Sequence, residues 1–192
     1  FAILCATYGQ VVGELVQKDR VVIGTIVSGR PSSEFDKTIG PFVQPFPMKI
    51  SITDNLKEMI LGIHELITEI NDRSRYPVAD MINHIPAFSG MEIDTYFTDP
   101  FIMLNNYPRE ASTQPRVEVL ESLGPIIKDG LPDLTQETLN EIAGLFLIID
   151  YFEGEMRFNF WYHIHRFTER QIKNWSQRYL ASLKDNIGKL GS

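Results

Sequence analysis

Hydrophobic positions recur along this chain at two spacings, and the change from one spacing to the other marks out the elements. Leu4, Tyr8, Val11, Val12 and Leu15 fall three and four apart, which predicts a helix over Phe1 to Val16. Lys18-Asp19-Arg20 is the turn that follows. Val21 to Val27 is almost continuously apolar and rich in β-branched residues, the pattern of a central strand covered on both faces. After a polar loop, Phe42 to Ile52 alternates imperfectly around Pro45 and Pro47. Proline lacks the ladder's N–H donor, so this strand belongs at an edge or carries a bulge. Thr53 or Asp54 is placed to cap a helix whose stripe runs Leu56, Met59, Ile60, Ile63, Leu66, Ile67 and Ile70. His64 sits beside that stripe, as partly exposed packing rather than a ligand.

The second half is less regular. Val78, Met81, Ile82 and Ile85 predict a short helix ending before Pro86, and Phe101 to Leu104 a short strand. Val117 to Leu123 is a further candidate strand, and 128–133 a turn region. The apolar runs Leu145 to Phe152 and Met156 to Tyr162, joined by Glu153-Gly154-Glu155, predict a β-hairpin. Thr168-Glu169-Arg170-Gln171 has the form of a capping box, opening a helix that buries Ile172, Trp175, Tyr179, Leu180 and Leu183. Parallel and antiparallel connections are both implied. The fold class is α/β, a two-layer sandwich with a mixed β-sheet, in one domain over 1–192.

Composition narrows the function classes. A net charge of −7 and a pI near 5.1 argue against a nucleic-acid or anionic-membrane partner, whose phosphates call for clustered Lys and Arg. The longest apolar run, Ile142 to Phe152, is broken by Asp150 and falls short of the ~20 residues of a membrane helix. The single cysteine, Cys5, excludes an intrachain disulfide and suits a reducing, cytoplasmic compartment. It lies in an apolar run and reads as a small buried hydrophobe, not a nucleophile. The chain begins with Phe1 inside an amphipathic pattern, without the charged region and cleavage site of a signal peptide, and so reads as cut from a longer polypeptide.

Candidate chemistry is sparse. Glycine-rich phosphate loops, Cys-x-x-Cys, His-Glu-x-x-His and Gly-x-Ser-x-Gly do not occur. His163 and His165 would share one face of a strand and could hold a metal given a third ligand, but no partner has motif spacing, so no metal is expected. Arg30 is the sharper candidate. It leaves the end of the first strand, where an unpaired charge is costly and a carboxylate partner is expected. Glu34 and Asp36 are near enough for a local surface pair; otherwise the partner lies outside this chain.

The series Gly24-Thr25-x-x-Ser28-Gly29-Arg30, then Ile39-Gly40-Pro41-Phe42-Val43-Gln44-Pro45-x-Pro47-Met48-Lys49, resembles the condensation domains of nonribosomal peptide synthetases. There the second block reads roughly Ile-Gly-x-Phe-Val-Asn-Thr, so Gln44-Pro45 replaces Asn-Thr and Lys49 replaces Arg. Arg75-Tyr76-Pro77-Val78, Thr98-Asp99-Pro100-Phe101 and the closing stretch from Arg157 to Thr168 follow in the family's order. The resemblance covers nearly the whole chain, but only the second half of such a domain. It implies a chloramphenicol acetyltransferase-like (CoA-dependent acyltransferase) lobe, the C-terminal of two that enclose a tunnel. The family's catalytic His-His-x-x-x-Asp-Gly motif belongs to the first lobe, and this sequence has no His-His pair.

The resemblance therefore implies an amide-forming transferase in which a carrier protein's phosphopantetheine thioester meets an acceptor amine. This chain would bind no cofactor directly, supply no catalytic residue and be inactive alone. Its partners would be the N-terminal lobe and carrier proteins. Arg30 matches the arginine that pairs with the motif's Asp, Gly29 and Gly40 would permit the sharp ends of its loop, and Phe42, Gln44 and Pro45 would lie at the tunnel or lobe interface. The alternatives are a condensation-like docking module without transfer chemistry and a lobe of a coenzyme A-dependent acyltransferase.

Overall fold

The computed structural model describes residues 1–27, 29–30, 33–35, 37–40, 42–73, 84, 100–106, 144–152, 154–162, 164 and 166–191. Over these the predicted pattern is realised. Helix α1 spans Ala2–Val16, strand β1 Arg20–Val27, β2 Gln44–Ser51, helix α2 Leu56–Arg73, β3 Phe101–Asn105, β4 Leu145–Phe152, β5 Glu155–Tyr162 and helix α3 Glu169–Leu190. Apart from residue 84, the expected elements at 78–85, 117–123 and 128–133 lie outside the described residues.

The sheet is mixed, in the order β2-β1-β3-β4-β5. β1, β3 and β4 run parallel, and β2 and β5 are antiparallel to their neighbours. β2 is an edge strand, as its prolines require. Gly24 N–H donates to Pro100 O on the β3 side at 2.8 Å, and Gly24 is paired with Pro47 on the other. That pair is therefore a non-hydrogen-bonded one, and the nitrogens of Pro47 and Pro45 face away from β1. The missing donors cost the ladder nothing.

All three described helices pack on one face. α1 is the central one: Leu4, Cys5, Ala6, Thr7, Tyr8, Gly9, Val11, Val12 and Gly13 are all buried, with α2 and α3 against its sides. It lies so close to the β2 end that a Cβ built on Gly13 would stand 2.0 Å from Ile52 Cδ1 and 2.7 Å from Lys18 O. Met48 and Ile50 of β2, Ile23 of β1, Ile102 of β3 and Leu145, Leu147 and Ile149 of β4 complete the core beneath it. Fully burying each such side chain contributes about 1.5–3 kcal/mol.

Tyr179 of α3 organises the β5 side. It is fully buried, and its ring meets Tyr8, Phe158 and Phe160 at centroid distances of 5.9–6.1 Å. Its hydroxyl donates to Leu4 O and that of Tyr8 to Leu145 O, so both phenols are satisfied where water cannot reach. Asn186 Nδ2 donates to Thr7 Oγ1 and Gln10 Oε1 at 3.0 and 2.9 Å, fixing the register of α3 on α1. The capping box at Thr168 and Gln171 forms as expected.

Two expectations are corrected. Val22 is 46% exposed, so β1 is not covered on both faces; its odd-numbered residues carry the burial. The cap of α2 is neither Thr53 nor Asp54. Asn55 Oδ1 accepts from Glu58 N–H at 3.2 Å, while the Thr53 hydroxyl donates to Asn55 O. Asn was one residue nearer the stripe and equally able to cap. His64 is exposed on α2.

Candidate functional site

The loop after β1 is built around Arg30. Gly29 turns the chain with φ 62, in the left-handed region, and a Cβ there would lie 2.0 Å from Phe42 O. Conformation and space both require glycine. Arg30 then folds back over its own loop. Its guanidinium carbon stands 4.5 Å from the centroid of the Phe42 ring, and Nη1 donates to Phe35 O and, at 3.2 Å, to Thr38 O. Residues 33–35 form a single 3₁₀ turn, closed by Thr38 N–H donating to Phe35 O, and the rings of Phe35 and Phe42 meet edge to face at 6.0 Å. One arginine thus ties the outward and returning limbs of the loop together. The fork geometry and weak hydration of guanidinium suit it to a ring and two carbonyls at once.

Arg30 is half-buried at the surface and not sunk in the core. Its partners among the described residues include two carbonyls and a ring. Gly40 is corrected: it takes no left-handed φ, and a Cβ there would make ordinary contact with Phe42 at 3.5 Å, so no sharp end depends on it. Beyond the clamp the loop is apolar and outward-facing, with Ile39 fully exposed and Val43 half-exposed. Pro45 is exposed. Gln44 Oε1 is shielded from solvent and has no hydrogen-bond donor among the described residues.

Near the loop's base, at the carboxyl ends of β1 and β3, lies a cleft of about 210 Å³ lined by Thr25, Ile26, Val27, Ile70, Asn71 and Leu104 among others. The Thr25 hydroxyl on its floor is buried and unpaired among the described residues. In α/β sheets such crevices at strand carboxyl ends are the usual place for ligands.

Cys5 is completely buried, and burial pushes its thiol up to about 12, which removes it as a nucleophile at neutral pH. Burial also holds the Tyr179 phenol well above its ordinary value. His163 and His165 lie outside the described residues, among which no cluster of metal-ligating side chains occurs. No described helix is long and apolar enough to cross a membrane.

Sequence reasoning missed a polar row on the sheet face opposite the described helices. Asn105 Nδ2 and Asn159 Nδ2 donate to the two oxygens of Asp150, each at 2.9 Å. The signal was there: Asp150 interrupts an apolar run, and Arg157 and Asn159 alternate with Phe158 and Phe160. Seeing the row as one unit required the strand register.

A family model, Condensation domain, matches residues 1–190. Gramicidin S synthase 2 of Aneurinibacillus migulanus is 24% identical over 126 residues, 64% of this chain and 3% of that protein. The nonribosomal peptide synthetase sirP of Leptosphaeria maculans is 31% identical over 75 residues, 37% of this chain and 3% of its own length. Among solved structures, the first condensation domain of the calcium-dependent antibiotic synthetase, in complex with a substrate analogue, superposes with a TM-score of 0.66 at 12% identity, covering 96% of this chain and 38% of that one. A four-domain nonribosomal peptide synthetase bound to AMP and glycine gives 0.71 at 15% identity, covering 98% and 15%. The chain thus spans a small part of each relative, and the α/β fold with its mixed sheet is shared with them.

Proposed function

Because this chain belongs to the condensation-domain family, we propose that it is the C-terminal lobe of a nonribosomal peptide synthetase condensation domain. In that reading the complete domain joins an acyl or peptidyl thioester, carried on a carrier protein's phosphopantetheine, to an acceptor amine. The general base comes from the His-His-x-x-x-Asp-Gly motif of the N-terminal lobe. This chain contributes the opposite wall of the tunnel and no catalytic residue.

The observation that carries the reading is the Arg30 clamp. It stands at the carboxyl end of a parallel strand, at the surface, and is held by its own loop. Guanidinium offers five donors, and a preorganised fork is what a carboxylate from a facing lobe would engage. The exposed Ile39 and Val43 beside it supply apolar area for the same contact.

The test is reconstitution. The chain alone should form no amide from a carrier-bound aminoacyl donor and acceptor, whereas the same chain joined to its N-terminal lobe should. Arg30→Ala in the joined protein should cut the rate at least tenfold, with Arg30→Lys restoring little of it. Transfer by the isolated chain, or a full rate in the alanine variant, would overturn the proposal.

A further inference from the structure

Phe42 stands where the paired strands give way to the loop. The β1–β2 register ends with Val27 paired to Gln44, and two residues further on Gly29 and Phe42 lie opposite each other. The two limbs are close there: a Cβ on Gly29 would lie 2.0 Å from Phe42 O and 3.8 Å from Gln44 Cγ. The resemblance placed Phe42 at the tunnel or lobe interface. Its half-buried ring is occupied by its own loop. The Arg30 guanidinium sits over the ring with Cζ 4.5 Å from the centroid, and the Phe35 ring meets it at 6.0 Å with an interplanar angle of 64°.

Both halves of the clamp lean on this one ring. Arg30 supplies the donor. Phe35 supplies an acceptor, its carbonyl, which also receives Thr38 N–H. Phe42 touches both residues. Without it a guanidinium on a four-carbon-long reach and a single 3₁₀ turn at 33–35 would lose the surface against which each is set. A long arginine side chain gives up much rotamer freedom when held in one place, so a guanidinium fixed at a loop mouth calls for a fixed support. An aliphatic side chain of similar size would cover the arginine stem, but only a π face attracts its charge. A cation over a ring uses the ring's electron cloud and none of its own N–H groups, so this hold does not compete with hydrogen bonds from the guanidinium edge.

We propose that Phe42 is the positioning residue for Arg30. Its ring, set at the end of the paired strands, holds the guanidinium at the loop mouth by cation–π attraction and so presents it to the facing lobe. This rests on the condensation-domain reading and deepens it: that reading uses Arg30, and Phe42 decides where Arg30 stands.

Replacing Phe42 by 4-fluoro-, 3,5-difluoro- and 3,4,5-trifluorophenylalanine, in the chain joined to its N-terminal lobe, tests it. Fluorine weakens the π face stepwise while the ring keeps its shape. The transfer rate kcat should fall in that order, about fivefold with three fluorines, with KM for the carrier-bound substrates unchanged. Phe42→Leu should cost about tenfold. In the chain alone, the ring current of Phe42 should shift the Arg30 Cδ protons upfield, and Phe42→Leu should return them to their ordinary position. Arg30→Lys identifies that resonance by removing it. A rate unchanged across the fluorinated series, or an unshifted Arg30 resonance in the wild-type chain, would overturn the proposal. Should Phe42→Leu misfold, the fluorinated series and the wild-type resonance decide it. The two proposals fail separately. A full rate in Arg30→Ala sinks the tunnel-wall reading, and the resonance then decides the Phe42 hold by itself. A slow Arg30→Ala beside a flat fluorinated series sinks only this inference.

Discussion

The two faces of the sheet treat polar groups in opposite ways. On the helix side the phenols of Tyr8 and Tyr179 and the amide of Asn186 all close on partners within the fold. The exceptions are the Thr25 hydroxyl, on the floor of the cleft, and Gln44 Oε1, at the loop end of β2. On the other side Arg157 keeps a shielded donor without an acceptor, and Val22 and Trp161 are substantially exposed. Unmade hydrogen bonds cost more than made ones gain. A closed network therefore marks where the fold is held, and an open one marks where something else is expected to arrive.

That contrast can be broken by mutation. Tyr179→Ala should have the largest effect, a loss of about 3–5 kcal/mol, because it removes a buried ring with three aromatic neighbours. Denaturant unfolding measures this, and a loss under 1 kcal/mol would show that α3 is not integral to the core. The next effect is one of pH. The Cys5 thiol titrates near 9.0 when unfolded and near 12 when folded. The folded chain then holds a proton that the unfolded chain releases, so this contribution is fully present below pH 9. It is lost at up to about 1.4 kcal/mol per pH unit as pH rises toward 12. Comparing unfolding free energies at pH 8 and 10 checks this, and Cys5→Ala should flatten the dependence. Asn186→Ala should cost about 1–3 kcal/mol by stripping Thr7 and Gln10 of their shared donor. Val22→Thr, on the exposed face, should change stability by no more than about 0.5 kcal/mol. A larger loss there would mean that face is packed as tightly as the other.

The sequence made the periodic parts legible. A stripe such as Met59, Ile63 and Ile70 needs no partner to be recognised, and the capping box of α3 is local to four residues. What it concealed depends on pairing. Val22 and Val21 are indistinguishable until the sheet shows which face the helices take. The Asp150 row joins residues up to 54 positions apart, and only the strand register brings Asn105, Asp150 and Asn159 together. At the loop, Gly29 and Gly40 look alike in sequence, yet one is confined by Phe42 O and the other has room. Arg30 stood out early because a charge at a strand end is conspicuous. That it would grip a ring and carbonyls could not be read from spacing, since those partners meet only when the loop closes.

The prolines of β2 have a consequence for how copies of this sheet could meet. Along the outer rim of β2 the outward-facing nitrogens belong to residues 45, 47, 49 and 51, and the first two carry no hydrogen. A strand arriving there would find half its donors missing, which blunts edge-to-edge aggregation. Among the described strands the opposite rim, β5, has no proline and no such guard. Among the described strands the sheet is therefore uneven: extension by a neighbouring segment or by misassembly is favoured at the β5 rim over the β2 rim.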